Sequence, residues 1–228
     1  MKELASRLAM QHLINAYSQE TGSGILLEKY QQNSTQLTFS QGLTLLIIPL
    51  ESIQSQLFVP LSYSSFVGRH RIARLPQVFT KGQIQQFSAI AMVSLLLEEL
   101  VQNASQTLDC ASLVEKWIQS RDALLQFLTH RQPDFDRLIQ AKQDFIQSEQ
   151  ALILGHSMHP APKSRLGFIH EDWLKFSPEH QGKTQLYYWL VAPEYVAESN
   201  ASCAEDITSQ LRSEEHTSEL QSPDHLVC

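Results

Sequence analysis

The sequence predicts an α+β fold: a mostly helical N-terminal region built around a small antiparallel meander, with further β structure towards the end. Three patterns carry this expectation. Apolar residues recur at helical spacing over residues 2–19 and again between 81 and 154. Short runs rich in Leu, Ile, Val, Thr and Phe, separated by turn residues, fill residues 24–65. A final run, 184–192, is apolar or aromatic on both of its alternating faces.

In the first helix Leu4, Leu8, Leu13, Ile14 and Tyr17 form the apolar stripe, and Thr21-Gly22-Ser23-Gly24 ends it. The strands of the meander are expected at 24–28, 35–40, 43–48 and 56–63, with a tight hairpin at Gln41-Gly42. Pro49 and Pro60 are expected at strand ends or edges, because proline cannot donate to a ladder. Residues 66–76, with Arg69, His70, Arg71 and Arg74, read as a solvated basic turn, with anion binding as the weaker alternative. A helix is expected within 81–103, burying residues 90–97. Asp109 is placed to cap a helix from Cys110 to about Leu128, with Leu113, Trp117, Leu124, Leu125 and Leu128 as its stripe. Pro133 fits the first turn of a third helix reaching Leu154, and Gly155 its left-handed stop. The run 184–192 is expected as a strand buried on both faces.

Composition limits the functional classes. The chain has 228 residues, 43% of them hydrophobic and 18% charged, so it can bury a core and is not disordered throughout. A formal charge of −7 argues against a general nucleic-acid binder, which presents a basic face to phosphates. No apolar run approaches the roughly 20 residues of a membrane span, and no secretory signal is visible at Met1-Lys2-Glu3-Leu4-Ala5. Cys110, Cys203 and Cys228 form neither a disulfide framework nor a metal pattern. These features describe a cytoplasmic-type chain without membrane or nucleic-acid partners.

Residues 212–228 lack any helical or strand period. The run Arg-Ser-Glu-Glu-His-Thr-Ser-Glu-Leu-Gln-Ser, followed by Pro223-Asp224-His225-Leu226-Val227-Cys228, resembles the conceptual translation of a sequencing adapter. Without this run, which holds one Arg and four acidic residues, the chain has 211 residues and a charge of −4. The expectation is therefore an N-terminal fragment of a longer protein, incomplete and inactive as it stands.

The chemistry is concentrated in Gly155-His156-Ser157-Met158-His159-Pro160-Ala161-Pro162-Lys163-Ser164-Arg165-Leu166-Gly167. Two imidazoles, an ammonium and a guanidinium fall within ten residues. Pro160 and Pro162 hold the backbone extended. Such a loop can aim several cationic donors at one anion: Arg offers a planar fork, Lys a compact charge, and His a donor whose charge depends on its surroundings. Ser164 adds a hydroxyl, and Gly155 and Gly167 allow close backbone approach. Two other readings stand beside this one. His156 and His159 with His170 or His180 resemble part of a zinc site, but neighbouring Lys and Arg are poor company for a dication. The histidines can also simply cap the last carbonyls of the preceding helix, whose negative end disfavours phosphate.

The stretch resembles the signature of the siderophore synthetases that act independently of non-ribosomal peptide synthetases, the IucA/IucC or aerobactin-synthase type. Their pattern is Gly-His-Pro-x-His-Pro-x-x-Lys-x-Arg-x-Gly. This chain gives it as Gly155, His156, His159, Pro160, Lys163, Arg165 and Gly167, and departs at Ser157. Glu149-Gln150-Ala151-Leu152, Phe168, Phe176-Ser177-Pro178-Glu179 and residues 187–192 fit the same neighbourhood, and the close likeness covers about 145–195. The resemblance implies a ligase that uses ATP and Mg²⁺ to convert a carboxylate, such as that of citrate, into an acyl-adenylate. An amine or alcohol then takes the acyl group. It implies triphosphate contacts from His156, His159, Lys163, Ser164 and Arg165, with Gly155, Pro160 and Gly167 shaping the loop and no resident metal. The expected organisation is an N-terminal α+β domain over 1–154, the start of an ATP-binding domain over 155–211, and the adapter-like tail; the family-level expectation for the full-length protein is a homodimer. The competing class is a non-enzymatic helical module with an anion- or zinc-binding histidine loop.

Overall fold

The computed structural model describes residues 1–27, 43–103, 109–140, 144–183, 185–192 and 195. It divides into two compact units, Met1–Lys183 and Thr184–Cys228. The histidine-rich loop is part of the first unit.

Helix α1 spans Lys2–Thr21 and ends at Gly22, whose φ of 64° is the left-handed stop expected there. Six strands follow among the described residues: β1 (Ile25–Leu27), β2 (Thr44–Leu50), β3 (Ser55–Tyr63), β4 (Arg71–Ile72), β5 (Gln77–Thr80) and β6 (Gln83–Gln85). They pair antiparallel in the order β1-β2-β3-β5-β6, with β4 also on β3. The expected strand 35–40 and its Gln41-Gly42 hairpin lie outside the described residues.

The two prolines are inside strands rather than at their ends. Pro60 faces Leu45 of β2, and on the other side of β3 the partner changes there from β5, whose pairing stops at Phe58, to β4, whose pairing starts at Leu61. A missing N–H is tolerated at such a gap. Pro49 lies beyond the Ile47 position at which β1 stops pairing. The sheet also continues past the expected limit at 65. Lys81 and Gly82, with φ of 48° and 79°, form the two-residue turn between β5 and β6, so the first part of 81–103 is hairpin rather than helix.

Helix α2 (Ala89–Asn103) therefore starts later, where the Ser88 hydroxyl accepts from Ala91 N at 3.2 Å. Helix α3 (Cys110–Arg131) has the expected cap, with Asp109 accepting from Ser112 N at 3.1 Å. The third expected helix is broken. A 3-10 turn (Gln132–Asp134) leads into α4 (Phe135–Gln140), and α5 (Phe145–Gln150) restarts from a capping box made by Asp144 and Gln147. Polar residues that can cap a new turn offer the backbone an alternative to one continuous helix. After α5 come the histidine-rich loop, α6 (His170–Phe176) and a 3-10 turn at Pro178–His180.

The core lies between one face of the sheet and helices α1, α2 and α3. Leu46, Ile48, Leu50, Leu57, Val59, Leu61 and Val78 meet Met10, Ile14, Met92, Leu96, Trp117, Leu124 and Phe127. The alternation continues on the other face, where Leu45 and Phe58 are covered by Phe79 and Ile84 and the two Phe rings stack at 5.2 Å. Trp117 donates from Nε1 to the Ala9 carbonyl at 3.2 Å, which ties α3 to α1 at the centre.

In the second unit, residues 185–192 carry no regular secondary structure. Their side chains are exposed, Trp189 to 75%. This corrects the expectation of a strand buried on both faces. A strand needs a ladder partner, and none is found for this run among the described residues.

Leu124→Ala, at a fully buried α3 position, should cost about 2–5 kcal/mol in urea unfolding; a change under about 1 kcal/mol would contradict the core described here.

Candidate functional site

The loop between α5 and α6 is fixed from below by buried charge. Lys163 is only 6% exposed and Glu179 only 3%. The Lys163 ammonium donates to Glu179 Oε1 at 2.5 Å and to the Leu152 carbonyl at 2.7 Å. Its own backbone N–H donates to Ser120 Oγ on α3 at 3.0 Å. Arg165 donates from Nη2 to both Glu179 oxygens, at 2.9 and 3.1 Å, and from Nη1 to Ser177 Oγ at 2.7 Å. Its guanidinium lies 4.7 Å from the Trp173 ring centroid.

Arg131, at the end of α3, completes the frame. It donates from Nη1 to the carbonyls of Gln150 at 2.6 Å and Glu179 at 3.2 Å, and from Nε to Asp134 at 2.9 Å. The carbonyls of Gln150, the last residue of α5, and of Leu152 just beyond it are thus taken by Arg131 and Lys163. That cancels much of the negative field that would repel phosphate at a helix C-terminus. The capping anticipated from the histidines comes instead from an arginine and a lysine.

Gly155 has φ of 74°, but it lies five residues beyond the last residue of α5 and does not stop that helix. A Cβ there would come within 2.9 Å of Lys163 Cε and 3.0 Å of Pro162 Cβ, so glycine is what allows the lysine stem to pass. Gly167 is also left-handed, with φ of 77°.

Above this frame, His156 and His159 are exposed, while Ser164 and Arg165 are half-buried. Each imidazole accepts a backbone N–H at Nδ1, from Met158 at 3.3 Å and from Ala161 at 3.0 Å. That places the proton of the neutral ring on Nε2, so both histidines present N–H donors. The Ser164 hydroxyl donates to the Ala161 carbonyl at 3.0 Å and keeps its lone pairs. Along the loop, then, His156 and His159 are exposed, Ser164 and Arg165 are half-buried and Lys163 is buried, and of these His159 and Ser164 line one cavity.

A cavity of about 320 Å³ opens beside the loop. Leu13, Val93, Leu97 and Trp117 form its apolar wall, and His159, Ser164, Lys116 and Glu20 bring polar groups to it. His180 and His130 pack ring against ring at 4.8 Å, and the His180 ring meets the edge of Phe127 at 5.0 Å, in an aromatic setting. No group of three or more His, Cys, Asp or Glu side chains gathers to hold a metal among the described residues. In the basic turn, His70 is buried and its Nδ1 accepts from Ser65 N at 3.2 Å, whereas Arg69, Arg71 and Arg74 are exposed.

Ser120 and Arg131 escaped the sequence reading, as did Glu179 and His12. Glu179 was visible only as part of a Phe-Ser-Pro-Glu run, with nothing to show that it meets Lys163 and Arg165. His12 occupies the buried face of α1, 1% exposed. Burial first, then the charges of Lys163, His159 and His156, lower its pKa from 6.5 to about 4. The Glu179 carboxyl is pushed upward by burial, but the Lys163 hydrogen bond, the backbone and both neighbouring cations more than offset this, and its pKa falls below the ordinary value.

Comparison with known proteins adds to this geometry. The IucA/IucC family model matches residues 144–225. The match starts at the α5 cap and takes in the loop, α6 and Glu179. Over that segment the chain is similar to the IucA/IucC family. The spermidine-citrate ligase of Bacillus anthracis is 27% identical over 226 residues, covering 95% of this chain and 38% of that protein. The N(2)-citryl-N(6)-acetyl-N(6)-hydroxylysine synthase of Vibrio mimicus is 28% identical over 178 residues, covering 75% of this chain and 29% of that protein. Among solved structures, ATP-bound aerobactin synthetase IucA from Klebsiella pneumoniae superposes with a TM-score of 0.66 at 26% identity. That superposition covers 77% of this chain and 29% of the other. The chain thus spans well under half the length of these IucA/IucC relatives.

Stability should fall as pH drops from about 6.5 towards 4. In that window the unfolded chain protonates His12 and the folded chain does not, a difference worth about 3 kcal/mol. His70, also lowered by burial, acts in the same direction. Urea unfolding of the wild type and His12→Leu between pH 7.5 and 4.5 should show a shallower slope in the variant; parallel slopes would contradict this.

Proposed function

We propose that this chain supplies the triphosphate-binding part of an ATP-dependent ligase that joins a carboxylate, such as that of citrate, to an amine or an alcohol. The observation that carries the reading is a loop with exposed His156 and His159, half-buried Ser164 and Arg165, and a buried Lys163–Glu179 pair, within the segment that the IucA/IucC family model matches. The named relatives, ligases of citrate with spermidine or a hydroxylysine derivative, support the substrate classes. The ATP-bound neighbour supports the nucleotide.

In this reading a carboxylate oxygen attacks the α-phosphorus of ATP and the bond to the pyrophosphate oxygen breaks, giving an acyl-adenylate and pyrophosphate. The amine or alcohol then attacks the acyl carbon and AMP departs. The loop's part is to fix the β- and γ-phosphates and spread their negative charge, so that the leaving group is held and stabilised. Arg165 offers its remaining guanidinium edge, His156 and His159 offer Nε2–H donors, and Ser164 adds its hydroxyl on turning it from the Ala161 carbonyl. Lys163 adds positive charge from beneath. Mg²⁺ would supply further charge screening through the phosphate oxygens. The Glu179 carboxylate is committed to Lys163 and Arg165.

Two measurements test this. The purified chain should bind inorganic tripolyphosphate in isothermal titration, and His156→Ala, His159→Ala and Arg165→Ala should each weaken binding at least fivefold; unchanged affinity in all three would remove the loop from the site. In the full-length protein, citrate or a related carboxylate should drive exchange of labelled pyrophosphate into ATP. Carboxylate-independent exchange, or none from folded protein, would contradict adenylation.

A further inference from the structure

We propose that Glu179 is a positioning residue of the anion site: its buried carboxylate sets the aim of Arg165 and holds Lys163 back from direct phosphate contact. This deepens the triphosphate reading and rests on it.

The geometry separates the two cations. The Lys163 ammonium uses two of its three donors on Glu179 and the Leu152 carbonyl, and lies 5.8 Å from the Phe127 ring centroid. Reaching a surface anion would require it to leave the Leu152 carbonyl and Glu179, taking one of two cations from a carboxylate that is 3% exposed. Breaking a buried pair from one side is strongly unfavourable. Arg165 is placed differently. Its side chain remains 27% exposed, yet the plane of its guanidinium is held by both Glu179 oxygens, Ser177 Oγ and the face of Trp173. One edge is anchored and the rest stays available to an anion.

The carboxylate is itself held. Pro178 opens the turn that carries it, and Arg131 reaches the Glu179 carbonyl. Glu179 neutralises one of two adjacent cations, so Lys163, Arg165 and Glu179 together keep a single positive charge.

This assignment makes a prediction whose sign is unusual. If Glu179 were only a competing anion, removing its charge would strengthen phosphate binding through the added positive field. If it orients Arg165, removing it weakens binding although the site becomes more positive. Glu179→Gln alone would leave a buried ammonium without its counter-charge and endanger folding. Lys163→Met/Glu179→Gln removes both charges and is therefore compared with Lys163→Met.

Binding of inorganic tripolyphosphate by isothermal titration at fixed pH and salt, alongside thermal unfolding, tests the proposal. The expected result is at least fivefold weaker binding in the double variant than in Lys163→Met, with unfolding midpoints matching within a few degrees. Equal or tighter binding in the double variant would overturn the positioning role while leaving the triphosphate reading intact. Absence of binding by the wild type would overturn that reading, and this inference with it.

Discussion

The carboxylate of Glu179, buried between Lys163 and Arg165, is the interaction on which the loop depends. It draws the Pro178–His180 turn to the loop, while the backbone bond from Lys163 to Ser120 and the Arg131 bridge bind both to α3. Each of these groups would be costly to bury alone. Together they satisfy one another, and removing the Glu179 carboxylate would leave the Lys163 ammonium without its counter-charge in the interior. The motif lysine and arginine are thus part of the framework as well as part of a cationic surface.

The same arrangement accounts for the electrostatics around the loop. His12, under the loop on α1, is kept neutral by burial and by the cations above it. A second buried positive charge there would oppose Lys163 directly. Neutral His12 therefore lets cationic groups gather above α1 without a further charge in the interior. The two surface histidines are oriented by backbone N–H groups at Nδ1, so their outward donors are set by the turns of the loop.

Much of the fold was legible in the sequence where local signals are strong. The periodic stripe of α1, its Gly22 stop and the Asp109 cap of α3 are found where the residues place them. The errors arose where short-range pattern competes with tertiary context. Lys81-Gly82 forms a hairpin turn because β5 and β6 pair across it, and Asp144 with Gln147 restarts a helix that apolar spacing alone would run straight through. Pro60 is accommodated by a change of strand partner that no local pattern reveals. The loop itself was legible from its clustered cations and its family resemblance. Its inner structure was not, because Ser120, Arg131 and Glu179 lie 43, 32 and 16 residues in sequence from Lys163 or from their partners across the loop, a relation only folding brings about; the Lys163–Glu179, Lys163–Ser120 and Arg131–Gln150 bonds are all non-local.

The most direct test of the central claim is a crystal structure of the protein with a non-hydrolysable ATP analogue. The account predicts phosphate oxygens within hydrogen-bonding reach of Arg165 and of the Nε2 atoms of His156 and His159, with the Lys163–Glu179 pair intact beneath them. A triphosphate bound away from this loop, or Lys163 drawn off Glu179 onto phosphate, would contradict it.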